Sequence, residues 1–384
     1  MRQSVMWAQL VEGPETLPEP AEGARTGSRR TLAEGVDMTP LDGERLHWES
    51  FVLDLHTHGQ GFVPQPFRAV WRAVTMGAPA EVGFDALREG AVDAVVAKAV
   101  GDPVVTRWYL GRSPWDAVEA QLVRIERQAA EAGAVVVGSV EGLAKARARD
   151  TPAVLLGVEG ADALGHDVDR INAWHERGVR VIVLVHLGDN TLGTTCLPWQ
   201  RYAGPLPVRR HIGPGLSALG ARVVERMNQL GVLVDVAHCD RATLLGIVDV
   251  ATAPVVSSHT GARALQDFPR YLTDSELGAI AATGGLVGLW PYRTHRTGVR
   301  DIPELIAHAR HIADTTGPEH LALGTDMNGV PGVMAGFSGE TDLPKVTCAL
   351  LDAGFDHREV KGILGENVLR VLRHVEEHAR RTPS

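Results

Sequence analysis

The sequence is poor in features that mark secreted, membrane-spanning or nucleic-acid-binding chains. Its 384 residues include three cysteines, Cys196, Cys239 and Cys348. That is no disulfide framework, and the spacing is not that of a thiolate metal site. A cytoplasmic, reducing compartment is the expectation. Positive charge is in deficit, with a net charge of −9, so neither nucleic acid nor an anionic membrane is an expected partner; both demand a basic face. No apolar run approaches the roughly eighteen residues of a membrane span. The N-terminal MRQSVMWAQLVEGPETLPEP lacks a basic start followed by an apolar stretch, and Arg29-Arg30 precede the polar TLAEGVDM. Neither reads as a secretory signal. What is present, 44% hydrophobic and 22% charged residues, describes a soluble globular protein with a sizeable core.

Residues 1 to about 45 carry Pro, Gly, Glu and Arg with little periodicity and read as an N-terminal arm. Residues 46–384 read as one domain, organised around Leu233 to Leu265. There LVDVAH and PVVSSH are Val-rich runs that each end in a histidine, His238 and His259. The segment between them has helical spacing, with Asp240 or Thr243 available as N-cap. Strand, helix, strand means parallel strands, so both histidines sit on one sheet edge.

The same pattern recurs along the chain. FVLDLHTHG ends a strand in His-x-His, and alternation places His56 and His58 on one face. GAVDAVVAKAV, PAVLLGVEG, VRVIVLVH, GGLVGLW and LALGTD supply further strands, with Glu159, His186 and Asp326 at the ends of three of them. Helical patterns fill most intervals, for example Pro114 to Gly133. The Gly-, Pro- and Thr-rich stretch 188–207 is long enough to read as an active-site lid. Eight strands alternating with helices predict an α/β fold, a (β/α)8 TIM barrel of the metal-dependent hydrolase type. The remaining histidines on helical or polar stretches (His166, His175, His308, His311, His357, His374 and His378) read as solvated, and His211, His295 and His320 as loop residues.

Four imidazoles, His56, His58, His238 and His259, with Glu159 bridging, suit two divalent ions. Nitrogen and oxygen donors fit zinc, but also manganese, cobalt, nickel or iron. Two such ions lower the pKa of a water held between them, and the hydroxide attacks a carbonyl. Asp326 is placed to take the proton and pass it to the leaving amine.

These residues resemble the membrane (renal) dipeptidase family, peptidase M19, within the amidohydrolase-like barrels. GVEG at 157–160, HERGVRVIVLVHLGDN at 175–190, LGVLVDVAH at 230–238 and APVVSSH at 253–259 carry the resemblance. So do the arginine of FPRYLTD, GTDMNG at 324–329 and GENVLRVL at 365–372. The resemblance implies ligation by His56, Glu159, His238 and His259, with zinc the usual ion. It implies that His186 binds the substrate carbonyl or its tetrahedral intermediate, and that Arg270 holds a terminal carboxylate. It also implies that Asp326 is the acid/base residue; Tyr292 is added as a substrate-binding residue. The chain departs from the family at His58, where Asp is usual, at Tyr271, where Asn is usual, and at Asn328, where an acid is usual. No counterpart of the mammalian members' signal peptide and lipid anchor is expected. The expected substrate is a small dipeptide or related amide, and a homodimer is compatible with this reading. The alternatives are an amidase or lactonase acting on a specialised metabolite and, more remotely, a non-catalytic binding protein on the same barrel.

Overall fold

A computed structural model of the chain describes residues 42–64, 80–202, 208–294 and 296–381. The stretch read as an arm lies, up to residue 41, outside the described residues, as do His295 and the 203–207 part of the proposed lid. The first described element is a helix, Asp42–Glu49, which starts inside the stretch read as arm.

Nine strands follow: β1 (Leu53–Thr57), β2 (Ala94–Val100), β3 (Val135–Val136), β4 (Ala153–Glu159), β5 (Val179–Val183), β6 (Leu233–Asp235), β7 (Val255–Thr260), β8 (Leu286–Leu289) and β9 (Leu321–Leu323). All pair in parallel, in the order β2-β1-β9-β8-β7-β6-β5-β4-β3. A second pairing of β2 with β4, from Ala94↔Ala153 to Val100↔Glu159, closes the sheet into a barrel. Eight strands form the wall, and this is a (β/α)8 TIM barrel. The two-residue β3 pairs with the start of β4, outside the expected set of eight.

Several expected strands are shorter in the structure. Gly90 caps a helical turn, so β2 begins only at Ala94. β5, β6 and β9 each stop three residues before His186, His238 and Asp326, leaving these side chains on the loops at the rim. Asp240, not Thr243, is the N-cap of the helix Arg241–Val250, its carboxylate accepting from Thr243 N at 2.8 Å.

Strand alternation divides the core. Ala94, Val96, Leu155, Val181, Leu233 and Val256 pack in one apolar cluster. Val95, Ala97, Val154, Leu156 and Val158 pack in another, which includes Val118, Leu122 and Ile125 of the helix Pro114–Glu131. The last helix, Asn367–Arg381, lays Val368, Val371, Leu372 and Val375 on the first cluster at helical spacing. His308 corrects its reading as solvated. It is 2% exposed, its Nδ1 accepts from Ala262 N at 2.9 Å, and its ring packs edge-on against Tyr271.

Candidate active site

Asp54 sets the first strand. Its Oδ1 accepts from Thr325 N at 2.9 Å and from His56 N at 3.2 Å, tying β1 to the loop that carries Asp326. His56 and His58 then project together, Nε2 to Nε2 3.2 Å. His238, just after β6, and His259, on β7, form a second pair with Nε2 atoms 3.1 Å apart. Glu159, 1% exposed, lies between the pairs. Its Oε1 is 3.2 Å from His238 and 3.5 Å from His56, and its Oε2 is 3.2 Å from His58. Asp326 Oδ1 stands 3.3 Å from His58 and 3.5 Å from His56. All five residues expected to bind metal thus converge, together with Asp326.

The backbone is bent to achieve this. His238, Asp326 and Asn328 adopt φ of 66°, 56° and 68°, a left-handed conformation that costs a non-glycine residue about 1 kcal/mol or more. Gly329 is required by close approach: a Cβ there would lie 2.4 Å from Asp326 Oδ1 and 2.6 Å from the His58 ring. Asn328 donates to the carbonyls of His58, at 2.7 Å, and Val82, at 2.9 Å, and its Oδ1 accepts from Val82 N. It therefore fastens the loop behind His58.

His186 faces Glu159 Oε2 at 3.5 Å, and its Nδ1 bonds the Asp102 carboxylate. Asp102 also caps the helix Pro103–Thr106 through Val104 N and Val105 N, so its position is fixed from two sides. Sequence reasoning missed it, although Asp before Pro at the end of a strand is an N-cap signal. Arg270, 2% exposed, donates from Nη2 to His259 Nε2 at 2.6 Å, with its guanidinium over the Trp290 ring. Tyr292 stacks on Trp290 and Phe268 beside it, its hydroxyl 3.4 Å from Thr297 Oγ1. Tyr271 is buried in the same aromatic group. The described part of the lid stretch packs on the site: Thr195 Oγ1 donates to the carbonyls of His186 and His238.

The electrostatics fit a cation. Burial alone would depress His58, but the Asp326 and Glu159 carboxylates outweigh it and push its pKa up to about 10. Burial, then the charge on Arg270, holds His238 well below the usual histidine value; burial, then His56, does the same for His259. Burial opposes ionisation of Glu159, yet His186 and His56 hold its carboxyl well below the usual range. Buried Glu159 Oε1 forms no hydrogen bond, which for a buried carboxylate oxygen calls for another partner. The facing Nε2 atoms of His56 and His58 have the same need: neutral imidazoles share one proton at most, whereas a divalent ion satisfies both. Three ligand-type sets, His56/Glu159/His259, His56/His58/Asp326 and Glu159/His186/His238, each fall within 4.8 Å.

The structure is thus a parallel (β/α)8 barrel with a cluster of metal-ligand-type side chains at its C-terminal rim. Residues 43–384 match the family model described as membrane dipeptidase (peptidase family M19), and the chain belongs to that family. It is 31% identical over 230 residues to dipeptidase tcpJ of Claviceps purpurea, an alignment covering 59% of this chain and 52% of that protein. The chain spans about half the length of the curated relatives it matches. Among solved structures, it resembles the probable dipeptidase PvdM from Pseudomonas aeruginosa with a TM-score of 0.73 and 20% identity, over 88% of this chain and 98% of that one. It also resembles a metallo peptidase from Rhodobacter sphaeroides, liganded with a phosphinate mimic of the dipeptide L-Ala-D-Ala. There the TM-score is 0.70 and the identity 21%, over 85% and 100% of the two chains.

Proposed function

We propose that this chain is a metal-dependent dipeptidase holding two divalent ions, zinc by preference, through His56, His58, Glu159, His238 and His259. The observation that carries the reading is the meeting of four Nε2 atoms around a buried carboxylate, Glu159, whose Oε1 forms no hydrogen bond. When bound, the ions supply Lewis acidity and a water acidic enough to act as nucleophile near neutral pH. The rest falls to side chains. Asp326, the carboxylate with the most exposed side chain in the array at 10%, takes the proton of the attacking water and returns it to the leaving amine. His186, oriented by Asp102, donates from Nε2 to the carbonyl oxygen as negative charge develops there. Both carboxylates around it, Glu159 and Asp102, outweigh burial and raise its pKa, which favours the protonated form that this role uses.

Arg270 reads the substrate's carboxylate, a fork geometry that lysine does not reproduce, with Tyr292 and Trp290 as its wall. Nothing at Tyr271 or Asn328, two of the three departures, favours an amidase or lactonase: Asn328 fastens the His58 loop and Tyr271 is buried beside His308. Residues 46–384 form the catalytic unit in this reading. The three free cysteines support a reducing, cytoplasmic setting, and among the described residues no helix is long and apolar enough to cross a membrane.

The test is a panel of dipeptides, their C-terminal amides and lactones, offered to protein loaded with zinc, manganese or cobalt. The reading expects hydrolysis of dipeptides and a large loss on amidation. Equal turnover of dipeptide and amide removes Arg270's role, and lactone turnover alone replaces the reading.

A further inference from the structure

Beneath the imidazoles lies a buried ion pair that the chemistry above does not use. Lys98, on β2, is fully buried, and its Nζ donates to Asp235 Oδ2, on β6, at 2.5 Å. The pair crosses the barrel interior between strands 137 residues apart in sequence. The space is made for it: Gly157, on the adjacent β4, has no side chain, and a Cβ there would lie 2.7 Å from Lys98 Cγ.

The pair reaches three of the four imidazoles. Lys98 Nζ also donates to Ser258 Oγ at 3.1 Å. That one hydroxyl lies 3.0 Å from His56 Nδ1 and 3.0 Å from His259 Nδ1. Asp235 Oδ1 holds the Ser258 backbone, accepting from Ser258 N at 3.0 Å and from Ala237 N at 2.9 Å. The carbonyl oxygen of Lys98 itself accepts from His58 Nδ1 at 2.9 Å. Each of these imidazoles therefore has its Nε2 in the array and its Nδ1 on a group anchored by Lys98 or Asp235. His238 is the exception: its buried Nδ1 has no hydrogen-bond partner, and a left-handed backbone sets its ring.

We propose that Lys98 and Asp235, acting through Ser258 and the Lys98 carbonyl, are positioning residues that fix the rings of His56, His58 and His259 for metal binding. The physical reason is that an imidazole anchored at one nitrogen presents the other along a defined direction, and partners of this kind usually carry about 10–100-fold in metal affinity or activity. The inference rests on the metal-dependent reading above.

The experiment measures Co2+ affinity by chelator competition, the visible spectrum of the Co2+-loaded protein, and kcat and KM under saturating metal. Two variants are compared with the wild type. Lys98→Met/Asp235→Asn removes both charges together, because removing one alone strands the other in the interior. Ser258→Ala keeps the ion pair and removes the shared hydroxyl. The expected result in both is affinity weakened about tenfold or more, an altered cobalt spectrum, and a fall in kcat with KM within twofold. Affinity within twofold of wild type and an unchanged spectrum in both overturn the inference. If the double variant fails to fold, as read by circular dichroism, Ser258→Ala decides alone by the same criteria. Wild-type protein that binds no Co2+ overturns the metal-dependent reading, and this inference with it.

Discussion

In the lower half of the barrel, Val96, Leu155, Val181, Leu233 and Val256 fill the interior with atoms that need no partner. Two to four residues further along the same strands stand Lys98, Glu159, Asp235, Ser258 and His259, all buried and all dependent on a specific partner. The lower half gains about 1.5–3 kcal/mol for each large aliphatic side chain removed from water. The upper half buries charge, bends three residues into left-handed backbone, and leaves Glu159 Oε1 without a hydrogen bond. Stability and chemistry are thus separated along each strand. Substitutions below should unfold the protein without changing its metal; substitutions above should change the metal without unfolding it.

The largest effect is expected at Glu159. Glu159→Gln should lose at least one ion per chain and reduce kcat/KM by about 10³-fold, a loss of roughly 4 kcal/mol of transition-state stabilisation. Its circular dichroism should remain that of a folded protein, because the apolar lower half is untouched. Elemental analysis and circular dichroism together check this; an unfolded variant would erase the contrast between the halves. Next is Leu155→Ala, a core truncation that should cost about 3 kcal/mol in denaturant unfolding. Metal content and kcat/KM per folded molecule should stay within twofold, and loss of metal would show that the halves are coupled.

How much of this division was legible in the sequence follows from the chemistry of strand ends. A polar ligand-type residue closing a Val-rich run is visible without a structure, which is why His56, Glu159, His238 and His259 stood out. Lys98 was not visible: one lysine inside AVVAKAV is consistent with a strand, and its partner is 137 residues away. Asp102 did not stand out, because its second role, holding His186, exists only across space. His308 read as a polar position on a helix, and only the packing of Tyr271 against it makes it interior. β3 is two residues long, too short for periodicity to show.

His308 gives a smaller, pH-dependent effect. Burial lowers its pKa from 6.5 to about 4, so the folded state binds the proton more weakly than the unfolded one. Its contribution is present above pH 6.5 and is lost as pH falls through about 4, a swing of about 2–3 kcal/mol. His308→Gln keeps an acceptor for Ala262 N–H and does not titrate. The fall in Tm from pH 6.5 to 4 should therefore be shallower than in wild type, and an identical fall would place His308 outside the acid response. The smallest effect is at His58. His58→Asp adds one negative charge to the array and should raise the pKa of the nucleophilic water, moving the acidic limb of kcat/KM upward by about one pH unit or less. Metal and measurable activity should be retained. A pH–rate profile under saturating metal reads the shift, and a limb that stays or moves down contradicts the charge argument.

Metal content tests the central claim most directly. Wild-type protein dialysed free of adventitious ions, re-equilibrated with zinc and analysed by mass spectrometry of the elements should carry close to two ions per chain. Glu159→Gln, treated in parallel, should carry at most one, since the carboxylate that lies between the two imidazole pairs is gone. Wild-type protein holding no ion, or a Glu159→Gln variant holding as many as wild type, would contradict it.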